Sequence, residues 1–223
     1  MSTAFTPLNH PGEDLLWDYH RGALVPGLAL TVAAHLDRCP HCRSDLRVFE
    51  CVGGAMLEKL EGIEMSASAL DLALARIERP EEAPIAHKPV KRPAFLQGFD
   101  LPESLKIVAV RNRYWAAPGV WMAPVQVEGA PKGTKTYLMH VRAGMTMPVH
   151  SHRGREATVV LKGRFTDAAG EYGPGDFMTI LDDEAHAPAV PEGDEDCLCL
   201  IAQEGAIVPH TWLGKLLQPF ARI

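Results

Sequence analysis

The stretch GMTMPVHSHRGREATVVLKG, residues 144–163, contains three potential metal ligands at a spacing typical of a β-strand. His150 and His152 are two positions apart, and side chains at positions i and i+2 of a strand point to the same face of the sheet. Glu156 follows two alternations later. A His-x-His pair alone is often only a polar pair on a strand, but the added glutamate favours convergence of these side chains on one metal ion.

The sequence around this stretch consists of short segments typical of β-strands. They are rich in β-branched and aromatic residues, turn residues separate them, and they read IVAVRNRYW, VWMAPVQV, TKTYLMHVRAG, EATVVLKGRFTD, GDFMTIL and DCLCLIAQE. Six or more strands in about 100 residues indicate a barrel or a sandwich. A neighbouring strand of a barrel can supply a fourth ligand, and we expect it to be His186 in DDEAHAP. The tail TWLGKLLQPFARI predicts a short C-terminal helix.

The 144–163 stretch resembles the first sequence motif of the cupin family, whose anchoring positions here are Gly144, His150, His152, Glu156 and Gly163. The resemblance implies a jelly-roll β-barrel with a divalent metal inside it. The second cupin motif is incomplete, because Gly-Pro-Gly-Asp is present at residues 173–176 but LDDEA precedes His186 and Val190 stands in place of an asparagine. Three imidazoles and one carboxylate suit Zn²⁺, Fe²⁺ or Mn²⁺, and zinc is the expected ion.

A second candidate metal site lies in HLDRCPHC, residues 35–42. The His-x3-Cys-x2-Cys spacing places His35, Cys39 and Cys42 on successive turns of a helical segment, where they can converge on one tetrahedral Zn²⁺. A structural zinc site needs a fourth ligand, and both His10 and His20 are candidates. Cys51 lies nine residues beyond Cys42, and we expect it to be packed and not to bind the metal.

The pattern of apolar residues predicts a two-domain α + β protein. Residues 1–80 contain four helical patterns and form a small zinc-binding helical bundle, residues 81–104 are proline-rich and form a linker, and residues 105–223 form the β-barrel with the short C-terminal helix. In the fourth helical pattern, Leu72 lies off the apolar stripe that Leu70, Leu74 and Ile77 form. We expect Leu72, and Leu16 on the first helix, to face a partner protein.

Composition and charge exclude some classes of function. The chain has 223 residues, 47% of them hydrophobic, and a net charge of −6. The acidic charge disfavours direct binding to nucleic acid and suits a basic protein partner. No run of apolar residues approaches the length of a membrane span, and the N-terminus lacks the features of a signal peptide, so a cytoplasmic protein with reduced cysteines is expected.

The two halves together resemble the zinc-binding anti-sigma factors of the ChrR type, and the resemblance covers nearly the whole chain. The zinc motif of that family has a histidine about 25 residues before the His-x3-Cys run, which favours His10 over His20. The resemblance implies a cytoplasmic regulator that binds an extracytoplasmic-function sigma factor in a 1:1 complex. It also implies that an oxidative signal, singlet oxygen or an organic hydroperoxide, releases the sigma factor through the cupin.

Two alternatives stay open at this level. The cupin could belong to a metal-dependent dioxygenase or isomerase that the zinc module recruits to a partner, because the same ligands occur in enzymes and in binding proteins. The second alternative concerns Cys197 and Cys199 in DCLCLI, which are either small packed hydrophobic residues or an oxidant-responsive thiol pair. We expect a non-enzymatic regulator, because a zinc-tied acidic helical module is not needed for small-molecule catalysis.

Overall fold

The computed structural model describes residues 6–79 and 90–210. The helices are α1 Glu13–His20, α2 Pro26–Leu36, α3 Pro40–Leu57, α4 Ala69–Ile77, a 3-10 turn at Ala94–Leu96 and α5 Glu103–Lys106. The strands are β1 Ala109–Val110, β2 Tyr114–Ala117, β3 Val120–Gln126, β4 Lys135–Val141, β5 His150–His152, β6 Glu156–Lys162, β7 Phe165–Thr166, β8 Glu171–Tyr172, β9 Phe177–Ile180, β10 Cys197–Gln203 and β11 Ile207–Pro209. The predicted C-terminal helix lies outside the described residues.

The strands form an antiparallel, cupin-like β-domain after the N-terminal helices, in agreement with the predicted fold class. The large sheet has the order β1-β3-β4-β10-β6-β9, with β2 paired to β3, and two small sheets pair β5 with β11 and β7 with β8. Isolated bridges attach the segment 186–189 to residues 146, 150 and 166. The small β5–β11 sheet carries His150 and His152, so it positions the predicted metal ligands.

The two faces of β10 serve two different cores. Leu198, Leu200 and Ala202 belong to a core shared with the helices, while Cys197, Cys199 and Ile201 point into the barrel. Because every residue of β10 is buried, this strand lacks the alternation of polar and apolar residues that a solvent-facing strand shows. Its sequence is therefore a nearly continuous apolar run.

Helix α2 packs directly on the sheet. Eight of its eleven residues are buried, and it contacts β6 and β10. Gly27 allows a close approach, since a Cβ atom there would lie 2.3 Å from Oγ1 of Thr136. Thr31 is fully buried and satisfies its hydroxyl by donating to the carbonyl oxygens of Gly27 and Leu28, both at 3.0 Å. The helical region and the β-domain thus share one hydrophobic core.

Part of the proline-rich stretch also belongs to this core. Leu96 and Leu101 are 1% and 3% exposed, and both lie in the cluster that contains α2 and the outer face of the sheet. Residues 80–89 of the predicted linker lie outside the described residues. The described part of the stretch has no regular spacing of apolar residues, yet it packs against the shared core.

Candidate metal centres

The first cluster contains His10, His35, Cys39 and Cys42, whose potential ligand atoms all lie within 4.8 Å of one another. Nδ1 of His10 is 3.4 Å from the sulfur of Cys39 and 3.4 Å from the sulfur of Cys42, and Nε2 of His35 is 3.3 Å from the sulfur of Cys42. His10 lies in the segment before α1 and not on that helix. The other three residues are fully buried.

Local structure explains how the His-x3-Cys-x2-Cys run converges. His35 is in the last turn of α2, and the chain turns before α3 begins at Pro40, whose ring suits the first position of a helix. Cys39 is the N-cap of α3, and its sulfur accepts a hydrogen bond from the backbone N–H of Cys42 at 3.4 Å. This turn brings both sulfurs to the same side as the His35 ring.

The donor set and its spacing fit zinc. Tetrahedral Zn²⁺ with Zn–N and Zn–S bonds of ordinary length separates its nitrogen and sulfur ligands by roughly 3.5 Å, close to the distances in this cluster. Burial and the neighbouring Cys39 raise the pKa of the Cys42 thiol to about 12, so the Cys42 thiolate needs a cation beside it. Zinc supplies that positive charge when it is bound.

His20, the competing histidine, lies outside the cluster. Its ring is 5.8 Å from the ring of Trp17 and 6.2 Å from the ring of Phe49, centroid to centroid. Cys51 is exposed, so the expectation that it is packed was wrong. It lies in the part of α3 that extends beyond the shared core, where every described side chain is exposed.

A turn of the β-domain holds this cluster in place. The turn of residues 173–176 joins β8 to β9, and the carbonyl oxygen of Gly175 accepts a hydrogen bond from Nδ1 of His35 at 2.7 Å. This contact leaves Nε2 of His35 directed at Cys42. The sequence shows Gly-Pro-Gly-Asp here, but nothing local connects it to the zinc motif 140 residues away.

Asp176 in the same turn fixes the segment that carries His10. Its carboxylate accepts hydrogen bonds from the backbone N–H groups of Leu8 at 2.6 Å, Asn9 at 2.9 Å and Gly173 at 2.8 Å. The backbone N–H of Phe177 donates to the carbonyl oxygen of Asn9 at 3.0 Å. Asp176 is 2% exposed, and these three N–H groups satisfy its buried charge.

The second cluster contains His150, His152 and His186. Nε2 of His186 lies 3.0 Å from Nε2 of His150 and 3.1 Å from Nε2 of His152. His186 reaches the other two because its backbone pairs with that of His150 through two hydrogen bonds, of 2.9 and 3.1 Å. The sequence of segment 181–185 departs from the cupin pattern, and the bridge nevertheless places His186 beside His150 and His152.

The outer nitrogens of His150 and His152 have partners that orient the inner ones. Nδ1 of His150 donates to the carbonyl oxygen of Pro148 at 2.8 Å, and Nδ1 of His152 lies 3.3 Å from Oε2 of Glu156. Gln203 donates to the same carboxylate oxygen at 2.6 Å. Glu156 contributes no atom to the three-histidine cluster in this structure, so its role as the fourth ligand stays a prediction.

The electrostatics of the second cluster favour neutral imidazoles, which is the form that binds metals. Burial lowers the pKa of His152 to about 3 and that of His186 to about 4. Burial also raises the pKa of Glu156 to about 7, although its hydrogen bond from Gln203 acts in the opposite direction. Three convergent neutral nitrogens beside a buried carboxyl group fit a divalent cation, and they do not separate zinc from iron or manganese.

Comparison with known proteins identifies the family of the chain. Residues 105–206 match the family described as the ChrR Cupin-like domain, and residues 13–43 match a family described as a zinc-finger. The chain is 32% identical to the anti-sigma-E factor ChrR of Cereibacter sphaeroides over 217 residues, which cover 96% of this chain and 98% of that protein. This chain belongs to the ChrR family. The curated relative is an anti-sigma factor, a regulator and not an enzyme.

A solved structure of the ChrR family agrees with the fold. The crystal structure of Rhodobacter sphaeroides SigE in complex with the anti-sigma factor ChrR has a TM-score of 0.69 to this chain at 28% sequence identity. The likeness covers 89% of this chain and 99% of that one. Across residues 6–79 and 90–210, none of the helices is long and apolar enough to cross a membrane.

The cysteine pair of this ChrR-family chain lies inside the barrel. The sulfurs of Cys197 and Cys199 are 3.6 Å apart, and the two residues are 2% and 5% exposed. The hydrogen bond with Cys197, together with burial, raises the pKa of the Cys199 thiol. Burial and a raised pKa both disfavour the reactive thiolate, so the surroundings favour packed residues over a reactive pair.

The two leucines expected to face a partner have different surroundings. Leu72 is 66% exposed, but Leu16 is 2% exposed and lies in the core shared by the helices and the sheet. The prediction that Leu16 faces a partner was therefore wrong. The first helix turns its leucines inward because it packs against α2 and α3.

The exposed apolar residues are concentrated in residues 52–77, which we call the α3–α4 segment. They are Val52, Met56, Leu57, Leu60, Ile63, Met65, Leu70, Leu72, Leu74 and Ile77. None of the nine residues of α4 is buried, so the predicted stripe of Leu70, Leu74 and Ile77 has no core beneath it. Exposed apolar side chains in this number are typical of a surface that binds a protein.

Proposed function

We propose that this chain is an anti-sigma factor that sequesters an extracytoplasmic-function sigma factor in a cytoplasmic 1:1 complex. The observation that carries the proposal is the α3–α4 segment, where ten large apolar side chains are exposed on a chain that resembles ChrR over nearly its full length. The structural relative of this chain was crystallised with the sigma factor SigE. Burying these side chains against a sigma factor would remove a large apolar area from water.

The acidic charge of the helical region supports the same partner. Residues 1–80 contain more Asp and Glu than Lys and Arg. A sigma factor uses basic surfaces to bind DNA, and acidic side chains around an apolar interface oppose such surfaces. The charge therefore favours the encounter, while the apolar residues supply most of the affinity.

The proposed zinc site has a structural role in this complex. His10 precedes α1, His35 ends α2, and Cys39 and Cys42 begin α3, so a zinc ion here ties three helices together. Such a site contributes directly to the stability of the helical region. Loss of the zinc should therefore free helix α3, in which the α3–α4 segment begins.

We further propose that the β-domain binds a second divalent metal through His150, His152, His186 and Glu156, with zinc as the expected ion. This site is the proposed receiver of the oxidative signal that releases the sigma factor. The turn of residues 173–176 supports a route to the helices, because it leads into β9, and β9 pairs with β6, the strand that begins at Glu156. A displacement of β9 would act on Gly175 and Asp176, and through them on His35 and the His10 segment.

A binding experiment tests the first proposal. The full chain is used, because α1 and α2 share their core with the sheet. Co-expression with the cognate sigma factor should give a 1:1 complex by size-exclusion chromatography with light scattering. The double variant Cys39→Ser/Cys42→Ser should not retain the sigma factor, whereas Cys51→Ser, an exposed cysteine on the same helix, should retain it. If the wild-type chain does not bind the sigma factor, the proposal is wrong, and oxygen consumption by the cupin becomes the next assay.

The release step has its own test. The purified complex is exposed to an organic hydroperoxide or to photochemically generated singlet oxygen, and free sigma factor is measured over time. Wild-type complex should dissociate, and a His152→Ala complex should persist. Equal release from both complexes would show that the oxidative signal does not act through the cupin metal site.

A further inference from the structure

The interior of the β-barrel contains a cavity of about 300 Å³ beside the three-histidine cluster. Protein interiors normally pack with few voids larger than a water molecule, so an apolar space of this size is unusual for a purely structural barrel. Its volume is at the lower end of the range of small-molecule binding sites. The cavity is therefore large enough for a small organic molecule.

Six sulfur-containing side chains line the cavity. The lining includes Met139, Met145, Met147, Met178, Cys197 and Cys199. The chain has eight methionines, so half of them face this one space. Thioether side chains are flexible and polarizable, and they adapt their shape to apolar ligands. This clustering favours a surface that accommodates a ligand over a surface that merely fills a core.

The imidazole and carboxyl groups of the cavity lining belong to the candidate metal site. His150, Glu156 and His186 line the cavity, and Thr158 is next to them on β6. Glu156 is the only Asp, Glu, Lys or Arg among the described lining residues. A ligand of this cavity therefore needs an apolar body, and the histidine cluster offers the metal-binding groups for its head. The hydroxyl groups in the lining belong to Tyr137, Thr146 and Thr158.

We propose that the cavity binds a small molecule with an apolar chain and one metal-coordinating head group, of the class of medium-chain carboxylic acids. The chain lies against the methionines, and the head group faces His150 and His186. The position of the head group rests on the proposed cupin metal, whereas the position of the chain rests on the cavity alone. Such a ligand would link the composition of the cell's small lipophilic acids to the site proposed to receive the release signal.

Methionine-methyl NMR of the full chain loaded with zinc tests this proposal with octanoate as the probe. The methyl resonances of Met139, Met145, Met147 and Met178 should shift on titration. Those of Met56 and Met65, which are 64% and 82% exposed on the α3–α4 segment, should not. Equal shifts of both groups would show non-specific adsorption, and no shift of the cavity group would exclude binding; either result overturns the proposal.

Matched ligands and variants locate the two parts of the probe. Acetate, which lacks the chain, should not bind. Octanol, which lacks the carboxylate, should bind at least about tenfold more weakly than octanoate. Ala117→Phe fills the cavity and should abolish octanoate binding, whereas Ala168→Phe in an exposed turn should not. Zinc content and melting temperature show whether each variant is folded, and the NMR result on the wild-type chain stands if Ala117→Phe does not fold.

The outcome can be separated from the proposed anti-sigma function. Sigma-factor binding is measured on the same preparation without octanoate. Specific octanoate binding by a chain that does not bind a sigma factor would support the cavity proposal and contradict only the regulatory one. Equal affinity for octanol and octanoate would overturn the assignment of the head group to the metal site.

Discussion

Nδ1 of His35 lies 2.7 Å from the carbonyl oxygen of Gly175, so a loop of the β-domain is the hydrogen-bond partner of a candidate zinc ligand in the helical region. Partners of this kind fix the tautomer and the ring orientation of a metal-binding histidine. Burial lowers the pKa of His35 to about 4, which keeps the ring neutral at neutral pH. The turn that binds His35 leads into β9, and β9 pairs with β6 at Glu156, so one strand connects the two candidate metal centres.

The connection predicts that Asp176 supports zinc binding without contacting the metal. Asp176→Ala removes the acceptor of three backbone N–H groups and should free the segment that carries His10. We expect zinc affinity of the first site to fall roughly 10- to 100-fold, as when other residues that orient metal ligands are removed. Competition with a chromophoric zinc chelator measures this. Asp194→Ala, which breaks an ion pair with Arg164, is the control, and an unchanged zinc affinity in a folded Asp176→Ala chain would contradict the connection.

Metal content should distinguish the two sites. The wild-type chain should bind two metal ions, and His152→Ala should bind one, because it removes a nitrogen from the centre of the three-histidine cluster. His140→Ala is a matched control, since its ring stacks on Trp121 at 4.9 Å and is not part of either cluster. Elemental analysis of the purified variants gives the ratio of metal to protein. If the His152→Ala chain still binds two metal ions, the three-histidine cluster of the β-domain is not a metal site.

The exposed and the buried leucine should respond differently to the same substitution. Leu72→Asp should weaken sigma-factor binding and leave the melting temperature unchanged, because the side chain is 66% exposed. Leu16→Asp should destabilise the whole fold by about 3 kcal/mol or more, because it buries a charge in the shared core. Calorimetric titration and thermal unfolding measure the two effects. Ala73→Asp, on the same helix, controls for the added charge, and wild-type affinity in Leu72→Asp would count against the α3–α4 segment.

The metal-free chain should lose stability as the pH falls. Burial lowers the pKa values of His35, His152 and His186 below the ordinary value of 6.5, to about 4, 3 and 4. Between pH 6.5 and 4 the unfolded chain binds protons that these folded histidines do not, so acid favours unfolding by up to about 1.4 kcal/mol per histidine and pH unit.

Glu156 opposes this trend. Burial raises the pKa of its carboxyl group from 4.5 to about 7, so the folded chain binds an extra proton in that interval. One carboxyl group does not offset three histidines, and the net melting temperature should fall from pH 6.5 to pH 5. Thermal unfolding of chelator-treated protein tests this, and added zinc should shift the loss to lower pH. A melting temperature that rises over this interval would contradict the burial of the histidines.

The buried cysteine pair should react slowly. Burial and the raised pKa of Cys199 predict that Cys197 and Cys199 resist alkylation in the folded chain, while exposed Cys51 reacts quickly. Peptide mass spectrometry after timed iodoacetamide treatment gives the rates. Hydroperoxide treatment of the sigma complex extends the experiment: a disulfide between Cys197 and Cys199 that forms at the rate of sigma release would restore the redox interpretation.

The sequence by itself predicted the local part of each candidate metal centre, because that part depends on the spacing of neighbouring residues. His35, Cys39 and Cys42 share a helix end and a turn, and His150 and His152 share one face of a strand, whatever surrounds them. The sequence also determined the order of helices and strands, since the spacing of apolar residues that marks a helix or a strand is a local property. The choice between His10 and His20 needed the family pattern, because that ligand is distant along the chain.

Only the tertiary structure decided what lies between and around these centres. Leu16 is buried and Leu72 is exposed although both are leucines of amphipathic helices, because α1 packs against α2 and α3 whereas no residue of α4 is buried. Gly175 bonds His35 from 140 residues away, Asp176 bonds the segment that carries His10, and Gln203 reaches Glu156 from β10. His35 meets Gly175 because α2 docks on the sheet, and Gln203 meets Glu156 because β10 pairs with β6. Both arrangements join segments that are far apart in the sequence, so no local pattern encodes them.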